Sequence, residues 1–195
     1  MTLGSPLSSV LSPVMFGAAR TLSPQALPGA TVISPFNGTI VRWEVTGASG
    51  GPLRLQVVHP IAGSFFTGGG TSTPGTITGT GVLSFPANLP IKAGDSIGIV
   101  STAPSDTIGL NFTTPGGLYA DWAPPLVEGA PPRTPTSGAM GEVGFNATVE
   151  SLPVPTTGQP VPTTGHRGAA RKKCKKKHSA KARKRCKKKA NRLPV

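Results

Sequence analysis

His59, Asp95, Asp106 and Asp121 are the side chains ahead of Gly165 on which acid–base or metal chemistry could draw. A hydrolase needs a nucleophile or a bound metal with a base poised beside it. This stretch has one histidine and no cysteine. His59 precedes Pro60 at the end of an apolar run and reads as a surface turn residue. The three aspartates stand beside Gly, Ser or Ala, so turn and capping bonds explain them more simply than a pair of catalytic carboxylates. Their spacing matches no calcium loop. The expectation is a protein that is not an enzyme, with no cofactor and no metal.

Two stretches have a binding character. In Gly116-Gly-Leu-Tyr-Ala-Asp-Trp122, Tyr119 and Trp122 are candidates for stacking on a sugar ring, with Asp121 accepting hydroxyl hydrogen bonds. The competing reading makes Trp122 a plug at one end of a sandwich. The second stretch runs from His166 to Val195 and holds fifteen Lys and Arg with no acid. Its densest part, Arg171, Lys172, Lys173, Lys175, Lys176, Lys177, Lys181, Arg183, Lys184, Arg185, Lys187, Lys188 and Lys189, is the candidate polyanion-binding segment. No aromatic residue interleaves these cations, so base stacking or sequence readout is not indicated. Cys174, His178 and Cys186, with His166, include zinc-ligand types, but their spacing fits no zinc module and the surrounding lysines oppose a dication.

Cys174 and Cys186 are candidates for a disulfide. An intact helix would hold their backbones about 18 Å apart along its axis, whereas a disulfide needs Cα atoms within about 7 Å. An oxidising compartment predicts the disulfide; a reducing one predicts free thiols.

The elements that must position these residues are short and β-like. Arg42 and Glu44 alternate with Val41, Trp43 and Val45 after the Asn37-Gly38 turn signal, which predicts a half-buried strand with Trp43 in the core. Leu53, Leu55 and Val57 alternate in the next segment. Similar runs follow at Gly81 to Pro86, Ser96 to Val100, Thr107 to Phe112 and Gly141 to Glu150. Leu83, Phe85, Ile97, Ile99, Ile108, Leu110, Phe112, Val143, Phe145, Ala147 and Val149 are expected to face inward. Of the neighbours Phe65 and Phe66, one must face out. Pro86 is expected to end its strand, Gly68 to Thr80 to be a flexible loop, and Thr113 to Gly138, with six prolines, to be one long connection.

No helical period is sustained anywhere, and 26 glycines and 22 prolines punctuate the apolar runs. The fold class is therefore all-β: a single antiparallel β-sandwich, jelly-roll or immunoglobulin-like, over residues 30–151. Residues 1–29 read as a disordered Ser/Pro-rich arm, with an edge strand within residues 7–15 as the alternative. Residues 152–165 hold the repeat Pro-Val-Pro-Thr-Thr-Gly twice and read as an extended linker. Residues 166–195 form the disordered basic tail.

The runs Ala26-Leu-Pro-Gly-Ala-Thr-Val-Ile-Ser-Pro35, Gly38-Thr-Ile-Val-Arg-Trp43, Leu89-Pro-Ile-Lys-Ala-Gly-Asp95 and Pro104-Ser-Asp-Thr-Ile-Gly109, with the tail, carry a likeness. The chain resembles a group of uncharacterised exported β-sandwich proteins of high-GC Gram-positive bacteria with Lys-rich, Cys-containing C-terminal tails. The resemblance implies an extracellular or cell-surface place and no catalytic residues. No secretory leader is recognisable, since no charge precedes Arg20, and no window is apolar enough for a transmembrane span.

The net charge of +13 belongs to the tail. Up to Gly165, five basic residues face seven acids, giving −2, against +15 beyond it. The expected function is attachment of a β-sandwich to an anionic envelope polymer or phospholipid through the tail. The alternatives are an intracellular nucleic-acid-associated protein with a histone-like tail, and a carbohydrate-binding module. Neither the domain's ligand nor the oligomeric state can be read from the sequence.

Overall fold

The computed structural model describes residues 1–8, 11–152 and Cys186. Met1–Leu152 is a compact unit of thirteen strands: β1 Thr2–Gly4, β2 Ser12–Met15, β3 Arg20–Ala26, β4 Gly38–Val45, β5 Arg54–Pro60, β6 Phe66–Thr71, β7 Leu83–Ile91, β8 Ser96–Ser101, β9 Thr107–Asn111, β10 Leu118–Trp122, β11 Ser137–Met140, β12 Glu142–Val143 and β13 Phe145–Ser151. Every strand-to-strand pairing is antiparallel. A four-stranded sheet has the order β1-β13-β4-β7, a six-stranded sheet β11-β10-β3-β8-β5-β6, and a small sheet β12-β9-β2. The chain changes sheet between β3 and β4, β4 and β5, β6 and β7, and β7 and β8. That alternation makes it a sandwich.

The core lies between the sheets. Ile40, Trp43, Val45, Phe145, Ala147 and Val149 meet Leu22, Leu55, Val57, Ile97 and Ile99, and Ile108, Leu110 and Val143 extend the same cluster. Trp43 is fully buried and stacks on Phe85 with ring centroids 4.5 Å apart. A smaller cluster of Val58, Ala120, Trp122 and Leu126, with Phe66 packed on it, involves the six-stranded sheet as well. Its strand β8 is buried at every position, as expected of a strand covered on both faces.

Several expectations are corrected. Residues 1–8 and 11–29 are not a disordered arm. β3 pairs with both β10 and β8, and Leu3 of β1 is among the largest fully buried side chains. Pro24 is tolerated in β3 because the pairing with β8 stops at Leu22; beyond it the Ser23 hydroxyl donates to Ile97 O at 2.8 Å. Residues 12–15 do form a strand, β2, at the edge of the small sheet.

In β4, Ile40 is buried and Val41 only half-buried. Val41 has no partner in the register with β7 or with β13. It is the extra residue of a bulge, and the inward positions are Ile40, Trp43 and Val45. Pro86 does not end its strand. Pro86 and Pro90 lie on the exposed face of β7, an edge strand, where a missing N–H need cost no ladder bond. Phe112 lies just past β9 and is 53% exposed, because Asn111 Oδ1 accepts from Thr113 N at 2.9 Å and turns the chain there.

Gly68 to Gly70 belong to β6 rather than to a loop. A Cβ on Gly68 would come within 2.7 Å of the Gln56 amide nitrogen, and one on Gly69 within 2.5 Å of the His59 ring. These glycines answer to close packing. The stretch from Thr113 to Gly138 is not a single connection either, since β10 runs through it. Phe66 turns in onto Trp122 and Phe65 faces out, as one of the pair had to.

Candidate functional site

Tyr119 and Asp121 sit two apart on β10 and share a face. Against that face lies a cavity of about 180 Å³ whose walls come from β2, β3, β9 and β10 and their flanks. Val14, Phe16, Leu22, Ile108, Leu110 and Phe112 make most of the lining, Met15 is 68% exposed, and Arg20, Tyr119 and Asp121 supply the polar groups. A second hollow, of about 350 Å³ between Thr71–Thr73 and Pro86–Leu89, has no titratable side chain in its lining.

The polar groups of the first cavity form a small network. Arg20 Nη1 donates to Asp121 Oδ2 at 3.2 Å, and the Ser137 hydroxyl donates to the same oxygen at 2.5 Å. Asp121 is buried and Arg20 partly so. Arg20 Nε is buried without a hydrogen-bond partner. Burial pushes the Tyr119 phenol above its ordinary pKa, the Asp121 carboxylate pushes the same way, and Arg20 opposes them.

Trp122 does not join Tyr119 in a stacking platform. It is fully buried, edge-on to Phe66 with centroids 5.0 Å apart, and points to the other face of the sheet with Ala120. No sugar can lie on it. Of the two proposed stacking residues, Tyr119 alone lines the cavity.

The remaining acids hold the scaffold. Asp106 is buried, accepts from Gly51 N at 2.7 Å and from the Ser101 hydroxyl at 2.6 Å, and so ties two loops together. Asp95 accepts the Lys92 backbone N–H at 2.8 Å, closing the Lys92-Ala-Gly-Asp95 turn. Its other oxygen lies 2.7 Å from His59 Nδ1. His59 is thus a partner of Asp95 rather than a lone turn residue; the β5–β8 register, with Val58 opposite Ser96, sets the two side by side. Glu142 is buried and accepts from the Ser5 and Thr114 hydroxyls.

Sequence reasoning also missed Gln56. Its Oε1 accepts from Thr21 Oγ1 at 3.1 Å and its Nε2 donates to Leu126 O at 3.0 Å, while Leu126 N donates back to Thr21 Oγ1 at 3.1 Å. This buried triangle pins the proline-rich segment after β10 to the sheet. A glutamine inside an alternating strand, at a position expected to face out, gave no signal of it.

Among the described residues no group of three or more His, Cys, Asp or Glu side chains could hold a metal ion, and no helix is long and apolar enough to cross a membrane. Of the tail only Cys186 is described, and it is disulfide-bonded. Cys174 and the polyanion-binding candidates from Arg171 to Lys189 lie outside the described residues, as do the Pro/Thr linker beyond Leu152 and both tail histidines. A scan against protein-family models finds no match, and searches of curated proteins and of solved structures find none either.

Proposed function

We propose that this chain is a non-enzymatic protein, exported or displayed at the cell surface, whose β-sandwich is held to an anionic envelope polymer or phospholipid by its polybasic tail. One observation carries the reading: charge is segregated along the chain, with −2 up to Gly165 and +15 from His166 onward. A run of that density attracts any extended polyanion through many weak contacts that salt screens. Two further features support it. Buried Asp95, Asp106, Asp121 and Glu142 are each engaged by protein donors, as scaffold carboxylates are. A disulfide at Cys186 suits an oxidising compartment. The likeness to exported β-sandwich proteins with Lys-rich tails belongs to the same proposal.

The test compares the full chain with a version lacking residues 166–195 on anionic vesicles, neutral vesicles and duplex DNA. The full chain should bind anionic vesicles, and the shortened one should bind nothing. If about ten cations met DNA phosphates, log K would fall against log salt with a slope near −9. Retention that survives the deletion, or that ignores salt, overturns the reading. Strong preference for DNA, together with free thiols in protein taken from its native compartment, would favour an intracellular nucleic-acid-associated protein instead.

A further inference from the structure

We propose that β11 is a docking edge at which a second copy of this chain adds its own β11, antiparallel and about a two-fold axis, so that the two six-stranded sheets become one. This goes beyond attachment through the tail and does not depend on it.

An edge strand offers a row of unpaired N–H and C=O groups, and folded proteins guard such rows with prolines, charges or covering chain. The three sheets have six edges, and the described residues guard all but one. β2 carries Pro13, and β7 carries Pro86 and Pro90. Gly4 N of β1 donates to Thr31 O at 2.8 Å. β6 is covered by the segment after β10, where Phe66 and Arg133 exchange backbone bonds of 2.8 Å. β12 is two residues long, both buried. β11 shows none of these devices among the described residues. It runs Ser137-Gly-Ala-Met140 at the end of the six-stranded sheet, without proline or charge, and every residue is exposed.

Its free bonding groups follow from the register. Gly141 N donates to Gly117 O at 2.9 Å, and Ala139 stands opposite Tyr119, with Met140 opposite Leu118. Bonded and non-bonded pairs alternate in an antiparallel ladder. Ala139 therefore bonds Tyr119, while Gly138 and Met140 direct their N–H and C=O groups to the open edge.

The strand also selects its occupant. A two-fold axis at Ala139 sets that small side chain against its own copy and pairs each Gly138 with Met140 of the second copy through reciprocal backbone bonds. The glycine leaves room for the methionine. Met140 and Leu118, 67% and 46% exposed, lie side by side and gain cover from their counterparts. No ionisable side chain stands between Thr134 and Gly141, so like charges do not meet and nothing selects a charged peptide. The chain's own outlying segments make poor strands. Pro153, Pro155, Pro160 and Pro162 interrupt the linker, and beyond it crowd lysines, which edges use against pairing. Four residues a side cover less than the about 1,200 Å² that stable, specific interfaces bury, so the dimer is weak and reversible.

The experiment follows the full chain by sedimentation equilibrium and amide hydrogen exchange, at about 1 M salt so that the tails do not repel at range. Raising the concentration from about 10 μM to about 1 mM should turn monomer into dimer. The Gly138 and Met140 amides should become protected only at the upper end. Met140→Pro removes an outward N–H that the fold does not use, and Met140→Lys brings like charges together while keeping the backbone. Each should weaken dimerisation by about tenfold or more, and the lysine variant should melt as the parent does. Phe65→Lys, at an exposed apolar residue elsewhere, should leave dimerisation unchanged. A monomer at every concentration overturns the proposal and leaves the edge to an extended segment of another protein. Gly138 and Met140 amides already protected in the dilute monomer also overturn it, since the edge would then be covered by its own chain. So does a dimer that Met140→Lys leaves intact, or one that Phe65→Lys weakens equally.

Discussion

At the scale of single residues, Tyr119 is the group whose environment can be measured most directly. It is the only tyrosine in the chain, so phenolate absorbance reports it alone. Burial and the Asp121 charge both favour the neutral phenol, and its titration midpoint should lie above the ordinary value near 10. A raised folded-state pKa means that the folded protein holds the proton more tightly than the unfolded one. The associated stability is therefore fully present below the unfolded value and is lost as pH rises through the folded one. Tyr119→Phe should flatten that alkaline loss; an ordinary midpoint and identical alkaline melts of the two proteins would contradict it. Trp43 makes a different prediction. It is fully buried against Phe85, and Gly75 lies beneath its ring, where a Cβ would come within 2.7 Å of Cζ2. Trp43→Ala should cost about 3–5 kcal/mol in denaturant unfolding.

At the scale of elements, the first 29 residues matter most. A chain reduced to residues 30–151 loses β3, which leaves β8 and β10 without the strand between them, and loses Leu3 from the core. It should give no cooperative melt, while residues 1–152 should melt cooperatively with a β-type circular dichroism spectrum. Leu3→Ala in the full chain should cost about 2–5 kcal/mol. Strands with one buried face were legible in the sequence because apolar and polar residues alternate, as at Trp43 and Val45 against Arg42 and Glu44. Strands outside that pattern were not. Ala120, Asp121 and Trp122 of β10 are buried in succession, so no period of two survives. In β3 the Ser23-Pro24 pair that signals a loop is accommodated by a short pairing and a hydroxyl bond. The cavity was legible only through Tyr119 and Asp121, since its other walls arrive from β2, β3 and β9 through pairings that no local pattern announces.

At the scale of the whole molecule, the sequence was most informative about charge, because a count of charged residues needs no fold. All seven acids lie within Met1–Leu152 with only five of the basic residues. Protein ending at Leu152 should therefore pass through a cation exchanger at neutral pH and low salt while the full chain is retained; retention of both would mean that the folded unit carries a cationic surface of its own. The strand order has a separate consequence. β1 lies antiparallel to β13, with Thr2 opposite Thr148, and the Met1 amino group donates to Val149 O at 2.8 Å. Start and finish of the folded unit are thus neighbours on one sheet. A circularly permuted chain, closed by a few residues between Leu152 and Met1 and opened at the exposed tip around Thr80, would keep every strand pairing, and its new ends would emerge between β6 and β7 instead of beside β13.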